Sequence, residues 1–568
     1  MKPSIRNKLA VLIISIALFT LFKPCSVSAQ STKKDTIVEE KLMYHSIRLI
    51  ASDQTILPWY SDDLGKSYDF VINQVWNFWD TMRTDMNGLP YYMNHQVWKA
   101  EVNDTRGVAG SQFEMALCSW RLLYQYSGNE RIKENMKFMA DYYLSHSLSP
   151  STPEWADLPY PYNTLAYSGN YDGDMVIGKY YTQPDKAGSL GNELINLYKI
   201  IGTGSHGQTP TGIYLESAIK IANTLARHTI SGNDTVSPLP FKVHALLGKS
   251  AKITDLDGNE MEVQLFDYTT NWSGTLELFL NLIEMKKGNT AEYQKAFDTI
   301  LAWMKKYPLQ NNHWGPFFED IVGNSDTQIN AITFAQFMMN HPEYFPNWRT
   351  EVKGIFNWVY EKLGNKQWEK YGVIAVNEQT AFNVPGNSHT SRQASAELQY
   401  AFLTGDQSQI KKAILQLNWA TYMVDFDGKN RYPTDDVWLS DGYGDYVRHY
   451  LRAMAFRPEL APDDQNHILS SVSVVQHVTY PTNTSQTMEI EVPADQSKNL
   501  LVSYRTYDNQ STEIIRMTVK PGVVLVNNNK IPETELNDAE GWSWKPLEKG
   551  GILTIRHHTG NQVKVVAK

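Results

Sequence analysis

The sequence predicts a mainly α-helical fold in which six helical hairpins form a double ring, followed by an antiparallel β-sandwich. A unit of helix, Gly with Asn or Asp, and helix recurs along the chain, which is the pattern of a repeat architecture. Turns within each hairpin are short, whereas the connections between hairpins are long. After Pro462 the chain changes to short, alternating segments rich in Val, Ile and Thr, which are typical of strands.

The hairpin unit is clearest in LLYQYSGNERIKE, LIEMKKGNTAEYQK and QYAFLTGDQSQIKK. Gly closes one helix in a left-handed conformation, and the polar residue beside it caps the next helix. First helices are predicted to begin near Gly107, Lys186, Asn271, Asp326, Ser388 and Ser440. Their partners are predicted near Glu130, Tyr214, Thr290, Trp348 and Gln407. An unpaired helix from Ser67 supplies the sixth partner and closes the ring.

The pattern divides the chain into four parts. We predict a signal peptide over residues 1–29, a lead-in over 30–66, the helical ring over 67–462 and the sandwich over 463–568. A β-hairpin inserted in a loop is predicted within residues 239–265.

The first residues have the composition of a secretory leader. A basic start precedes the apolar run 9–22 and the small residues that end at Ala29, so we expect a secreted or periplasmic protein. The run is too short for a membrane span, and Cys25 leaves a lipid anchor as an alternative. Removing the leader takes away four basic residues and no acid, which moves the formal charge from −9 to −13. This charge argues against nucleic-acid binding.

The long loops carry the residue types of a sugar-binding cleft. The stretch NNHWGPFFEDIVGNSD, residues 311–326, places Trp and Phe rings beside two adjacent acids, and nearby rings raise the pKa of an acid by removing its hydration. If the first helices form the inner ring, all the long loops lie at one mouth, together with the positive ends of those helices. The alternative is that these rings are core and that the acids cap helices.

Paired carboxylates across such a cleft are what acid-assisted cleavage of a glycosidic bond requires. We predict Asp174, Glu319 and Asp320 as the catalytic carboxylates. Arg106, His389 and Arg392 are predicted to bind a carboxylate of the substrate, which favours a uronic acid. The other predicted substrate-binding residues are Tyr181, Trp314, Trp438, Asp441 and Tyr443.

No cofactor or metal is predicted. The NYDGD run at residues 170–174 is spaced like part of a calcium loop but lacks the downstream glutamate of that loop. HExxH, CxxC, GxSxG and phosphate-binding glycine motifs do not occur. The only cysteine after the leader is Cys118, in an apolar helical pattern, so no internal disulfide is expected.

On the recurring helix, GN or GD, helix units, the chain resembles the six-hairpin glycosidases and polysaccharide lyases, which have an (α/α)6 toroid and a trailing β-sandwich. The resemblance covers about residues 67–456 and implies a glycoside hydrolase acting on a uronate-containing oligo- or polysaccharide. A second hypothesis is a polysaccharide lyase in which Tyr181 or Tyr443 acts with His389, and Arg392 neutralises the uronate. A third is a noncatalytic glycan-binding protein.

Overall fold

The computed structural model describes twelve ranges of the chain. These are residues 35–93, 110–165, 168–174, 177–202, 212–250, 253–254, 260–261, 267–317, 325–431, 440–481, 499–535 and 539–568. The predicted leader lies outside the described residues.

Twelve helices of three or more turns occur within these ranges. They are α1 Leu64–Asp80, α2 Gly110–Ser127, α3 Glu130–Ser147, α4 Pro184–Ile201, α5 Gly212–His228, α6 Ser273–Met285, α7 Thr290–Lys306, α8 Gln328–Asn340, α9 Trp348–Leu363, α10 Asn387–Thr404, α11 Ile410–Thr421 and α12 Ser440–Phe456. Each predicted helix start lies within a few residues of an observed one.

The even-numbered helices form a closed inner ring. Each packs against the next in the order α2, α4, α6, α8, α10, α12, and α12 packs back against α2. The odd-numbered helices lie outside them in the pairs α2–α3, α4–α5, α6–α7, α8–α9, α10–α11 and α12–α1. The helix that precedes the repeats therefore closes the toroid, as the sequence predicts.

The turn between α2 and α3 shows the predicted chemistry. Gly128 has a φ of +71°, in the left-handed region that favours glycine. Asn129 then caps α3, because its side chain accepts a hydrogen bond from the backbone N–H of Arg131 at 3.0 Å. A short polar turn of this kind reverses the chain between an inner and an outer helix.

Short strands occur in the segments before and between the helices of the ring. A hairpin, β1 Asp35–Leu42 and β2 His45–Ile50, precedes α1. Between α5 and α6, Val243–His244 pairs with Lys249–Ser250, which confirms the predicted inserted hairpin. Val243–His244 also pairs with Tyr181–Thr182, just before α4.

The C-terminal part consists of two antiparallel sheets. The strands are β3 His467–Ser471, β4 Val475–Thr479, β5 Leu500–Thr506, β6 Ser511–Met517, β7 Val523–Val526, β8 Asn529–Ile531, β9 Gly541–Pro546, β10 Gly551–His557 and β11 Gln562–Val566. One sheet has the order β3-β6-β10-β9 and the other β4-β5-β11-β7-β8. Both sheets contribute to one apolar cluster, which contains Ile515 and Leu553 from the first and Val502 and Val563 from the second.

The sheets contact the C-terminal ends of inner helices. Gln125, near the end of α2, donates a hydrogen bond to the carbonyl of Leu469 at 3.4 Å. Gln476 donates to the carbonyl of Lys199, near the end of α4, at 2.8 Å. The long loops precede the inner helices in the chain, so they lead into the N-terminal ends of these helices, whereas the two contacts above lie at the C-terminal ends.

Among the described helices, none combines the length and apolar character needed to cross a membrane.

Candidate functional site

A cavity of about 210 Å³ lies inside the ring of inner helices. All six inner helices contribute side chains to its wall, so the cavity follows the axis of the toroid. One polar lining residue from each helix, in chain order, is Glu114, Glu193, Glu277, Gln336, Gln399 and Arg452. A concave site with several convergent polar groups is the usual form of a small-molecule site. We call it the axial cavity.

Glu114 is the most perturbed acid of the axial cavity. It lies in the second turn of α2 and is partly exposed to the cavity that it lines. Burial raises its pKa to about 7, and the charge of Glu193 acts in the same direction against the opposing charge of Arg448. No hydrogen bond or ion pair joins its carboxyl group to another residue of the described ranges. Glu114 is therefore an acid that can hold a proton near neutral pH.

Arg452 brings a positive charge to the same cavity. Its Nη2 donates to Cys118 Sγ at 3.5 Å, the one side-chain hydrogen bond it makes within the described residues. The positive charge of the nearby Arg121 is balanced by Glu193, because Arg121 Nε lies 3.3 Å from Glu193 Oε2. Burial lowers the pKa of Arg452, but a guanidinium stays charged in proteins. A cation without a carboxylate partner among the described residues makes this part of the wall suited to an anion.

A second polar cluster lies beside the cavity at the N-terminal end of α4. Asp185 Oδ2 accepts from Lys186 Nζ at 2.7 Å and from Asn271 Nδ2 at 2.9 Å. Lys186 also donates to the carbonyl of Phe317 at 2.9 Å, and its ammonium lies 3.8 Å from the centre of the Phe317 ring. Asn271 and Phe317 line the cavity. This cluster ties the loops before α6 and α8 to α4.

Asp445 is the centre of a buried network between α8, α10 and α12. It accepts from Ser388 Oγ at 2.6 Å and is ion-paired with Arg392 and Arg448. Arg392 Nη1 also donates to Gln328 Oε1 at 2.7 Å. The network satisfies charges that would otherwise be costly to bury and cross-links three inner helices.

The structure places the predicted carboxylate Asp174 away from the axial cavity. Asp174 is 0% exposed, and its Oδ2 lies 2.9 Å from Lys242 Nζ and 2.9 Å from Gln183 Nε2. Lys242 is likewise 0% exposed. This is a closed ion pair inside the protein, and Asp174 is not among the residues that line the cavity.

The predicted aromatic and basic residues also have structural partners. Trp314 is fully buried and packs near Phe334 and Trp358, with ring centroids 6.1 and 6.2 Å away. Tyr181 is half-buried, with its ring 5.0 Å from that of His244. None of the three predicted residues Trp314, Tyr181 and Arg392 lines the axial cavity.

His389 is buried beside the Asp445 network. Burial, together with the positive charge of Arg392 and the neighbouring His449, holds the pKa of His389 well below its usual range. Its imidazole is therefore neutral at physiological pH, and it does not line the axial cavity. Neutral His389 does not supply the positive charge that the prediction of uronate binding assigned to it.

Six of the predicted residues have side chains that lie outside the described part of the structure. Arg106, Glu319, Asp320 and Trp438 fall outside the described ranges, and Asp441 and Tyr443 lie in the first turn of α12 without described side chains. Within the described ranges, no group of three or more His, Cys, Asp or Glu is arranged to hold a metal ion.

Sequence reasoning missed Glu114 and Arg452 because both lie inside helices and not in the long loops. Glu114 interrupts the apolar run FEMALC, and Arg448 and Arg452 follow Asp445 at helical spacing. Isolated charges on the buried face of a predicted inner helix are the signal that identifies them.

No protein-family model matches the chain, and no curated protein matches it. Solved structures do match. A D-mannose isomerase has a TM-score of 0.50 and 10% identity, covering 70% of this chain and 99% of that one. A cellobiose 2-epimerase from Spirochaeta thermophila has a TM-score of 0.47 at 12% identity, covering 69% and 97%. An unsaturated glucuronyl hydrolase specific for heparin has a TM-score of 0.42 at 10% identity, covering 71% and 100%.

At these identities the comparisons concern the fold alone. The D-mannose isomerase, with the highest of the three TM-scores, aligns over almost its whole length with about two thirds of this chain. Together with the closed ring of inner helices, this confirms that the chain has the six-hairpin toroid fold.

Proposed function

We propose that the protein is a carbohydrate-active enzyme that hydrolyses a glycosidic bond of a uronate-containing oligo- or polysaccharide, with Glu114 as the proton donor. The observation that carries the proposal is the carboxyl group of Glu114, which lines the axial cavity with a pKa raised to about 7. A general acid acts best when its pKa lies near the working pH, because it is then protonated and still able to release the proton.

The reaction needs an acid that protonates the leaving oxygen as the bond to the sugar breaks. Glu114 can deliver that proton without first breaking a hydrogen bond to another described residue. Burial keeps the proton on Glu114, and the negative charge of Glu193 acts in the same direction. After cleavage the ionised Glu114 can take a proton from the water that completes hydrolysis, as the acid of a retaining mechanism does, or from bulk solvent.

Arg452 supports an acidic substrate. A sugar carboxylate in the cavity would supply the anion that this guanidinium lacks among the described residues, and Arg can bind a carboxylate through two parallel hydrogen bonds. We therefore assign to Arg452 the role for which the sequence favoured Arg392, since Arg392 is already paired with Asp445 and Gln328. Arg106 remains a proposed second contact on sequence grounds.

Hydrolysis also needs a second carboxylate, either to activate water or to attack the sugar. We propose Glu319 or Asp320, because they follow the cavity-lining Phe317 by two and three residues along the chain. Asp174 is less suited to this role, since its charge is held by Lys242.

The test is turnover of a panel of uronate-containing oligosaccharides by the wild type and by Glu114→Gln. The substitution keeps the size of the side chain but removes the acidic proton, so we expect cleavage to be lost. The matched control is Glu134→Gln on the outer helix α3, where Glu134 forms an exposed pair with Arg131. Equal turnover by wild type and Glu114→Gln would remove the basis of the proposal.

The same assay separates the alternative functions. A hydrolase yields products that contain one added water, whereas a lyase yields an unsaturated sugar that absorbs in the ultraviolet. A glycan-binding protein yields no product. His389 is buried and does not line the axial cavity, which makes it a poor partner for the lyase mechanism that pairs it with Tyr181 or Tyr443.

We also propose that the chain is exported after removal of residues 1–29 and that its two C-terminal sheets form a sandwich domain. The proposal for export predicts that the mature protein isolated from its source begins at Gln30. The shared apolar cluster of the two sheets supports the sandwich.

A further inference from the structure

A second cavity, of about 340 Å³, lies where the helical ring meets the first C-terminal strand. Its wall is formed by α1, by the turn from α2 into α3 and by the residues that lead into β3. Polar side chains predominate, among them Asp69, Asn73, Asn77 and Gln465, with Trp76 and Tyr126 as the larger apolar surfaces. It is larger than the axial cavity and has the size at which small-molecule sites begin. We call it the junction cavity.

The wall of the junction cavity is held by defined contacts. His467 stacks on Tyr126 with ring centroids 3.8 Å apart and an angle of 2° between the planes. The Tyr126 hydroxyl donates to Asp69 Oδ1 at 2.8 Å, and His467 Nδ1 lies 2.8 Å from the Tyr126 carbonyl. These contacts join α1, α2 and the start of β3, so the cavity is preformed.

The remaining polar groups are available to a ligand. Asn73 Nδ2 donates to the Asp69 carbonyl, which leaves its amide oxygen as an acceptor. The side-chain amides of Asn77 and Gln465 make no hydrogen bond within the described residues. Each of these amides offers both donors and an acceptor. The cavity therefore presents both hydrogen-bond donors and acceptors, from α1 and from the residues before β3.

The charges restrict the class of ligand. Neither Lys nor Arg is among the residues that line the cavity, and the carboxyl group of Asp69 disfavours an anion. A single carboxylate is also too few for a calcium or magnesium site, which needs several oxygen ligands in addition to water. The lining is too polar for an apolar molecule. A neutral molecule rich in hydroxyl groups matches the amide donors and acceptors together with the one carboxylate of the wall.

From these contacts we infer that the junction cavity is a second saccharide site, which binds a neutral sugar ring through Asp69, Asn73 and Gln465. The site is separate from the axial cavity and does not depend on the catalytic proposal. Its ligand is a free neutral monosaccharide or a neutral sugar unit of a longer chain, since both present the same ring hydroxyls.

The test is calorimetric titration of the full-length mature protein with neutral monosaccharides (glucose, galactose, mannose and xylose) and with oligosaccharides of the sugar that binds. We expect at least one monosaccharide to bind, and the double variant Asn73→Ala, Gln465→Ala to lose at least tenfold in affinity. If the oligosaccharide binds more tightly than the monosaccharide, the ligand is a sugar unit of a longer chain. If the two bind equally, the ligand is the free sugar. Both results support the site.

Three controls locate the binding. Gln294→Ala removes an amide on the exposed surface of α7 and should bind as the wild type. Arg452→Met, in the axial cavity, should also bind neutral sugar as the wild type. The proton resonances of the His467 ring should shift at saturating sugar, because the ring lines the cavity. If the double variant does not fold, Asn77→Ala at the exposed rim replaces it, with a smaller expected loss.

The inference is overturned if no neutral sugar binds, if the junction variants bind as tightly as the wild type, or if Arg452→Met abolishes binding. The last result would place the sugar in the axial cavity. Turnover by the wild type with no neutral-sugar binding at the junction would refute this inference alone, whereas binding at the junction without turnover would refute the catalytic proposal alone.

Discussion

Lys242 Nζ lies 2.9 Å from Asp174 Oδ2, and neither side chain is exposed to solvent. The pair joins the loop before α4 to the loop after α5. Removing one partner of a buried pair leaves the other charge uncompensated, at a cost of about 3–5 kcal/mol. We therefore expect Asp174→Ala to lower the free energy of unfolding by about this amount in urea denaturation.

The double variant Asp174→Leu, Lys242→Met is the matched control for this prediction. Without either charge it should be more stable than Asp174→Ala, because apolar residues of similar size can replace a buried pair at little cost. Unchanged stability of Asp174→Ala together with lost turnover would instead support the original assignment of Asp174 to catalysis.

Glu114 should set the alkaline limit of activity. A general acid must carry its proton, and burial raises the pKa of Glu114 to about 7. We expect kcat/KM to fall as the pH rises through about 7, with a slope of one proton. The measurement is a pH–rate profile of the wild type and of Glu134→Gln. Both proteins should show the same fall in kcat/KM above about pH 7. A flat profile from pH 6 to 8 would assign the acid to another group.

The same pKa makes Glu114 unfavourable for stability. The pKa of its carboxyl group is near the ordinary value of 4.5 in the unfolded chain and about 7 in the folded protein. The folded state therefore loses stability as the pH rises from about 4.5 to about 7, by no more than about 3 kcal/mol.

Glu114→Gln removes this dependence, because the amide does not titrate. We expect the variant to match the wild type near pH 4.5 and to be more stable at pH 8, as measured by urea denaturation at both values. A variant that is less stable than the wild type at pH 8 would show that the folded protein favours the ionised carboxylate.

The contrast between Asp174 and Glu114 shows why the acid proposed for catalysis was hard to find from the sequence. Loop composition indicates which residues lie near a mouth, but it does not show which acid has a buried cation beside it. The partner of Asp174 is 68 residues away, at Lys242, and no local pattern links the two. Glu114 lies in a helix, and its pKa is raised mainly by burial within the assembled ring, which no local sequence pattern shows.

The helical ring itself was predictable because its signals are local. Apolar spacing and Gly-Asn or Gly-Asp turns mark each helix, and the observed start of α3 at Glu130 and of α7 at Thr290 coincide with the predicted positions. The sequence left open which helices face the axis, and the structure shows that the first helix of each hairpin does. By contrast, Trp314 was predicted to bind sugar, but its ring is buried near Phe334 of α8 and Trp358 of α9, which are distant in the sequence.

Arg392 should matter for stability and not for substrate binding. Its guanidinium pairs with Asp445 and Gln328 inside the ring. We expect Arg392→Met to lower the free energy of unfolding by about 3–5 kcal/mol and to leave KM unchanged in the folded fraction. The control is Arg131→Met, whose exposed pair with Asp80 should contribute no more than about 1 kcal/mol. A raised KM without a loss of stability would return Arg392 to the binding site.

Arg452 should determine the preference for an acidic sugar. A hydrogen bond to a charged group contributes about 1.5–3 kcal/mol, so losing it should raise KM for a uronate substrate by about 10- to 100-fold. We expect Arg452→Met to show this increase and Arg452→Lys to show a smaller one, because a lysine keeps the charge but not the two parallel donors. Steady-state kinetics on a uronate substrate and on its methyl ester provide the measurement. The ester carries no charge, so its KM should change little between the wild type and Arg452→Met. An equal increase in KM for both substrates would mean that Arg452 only shapes the cavity and does not bind the carboxylate.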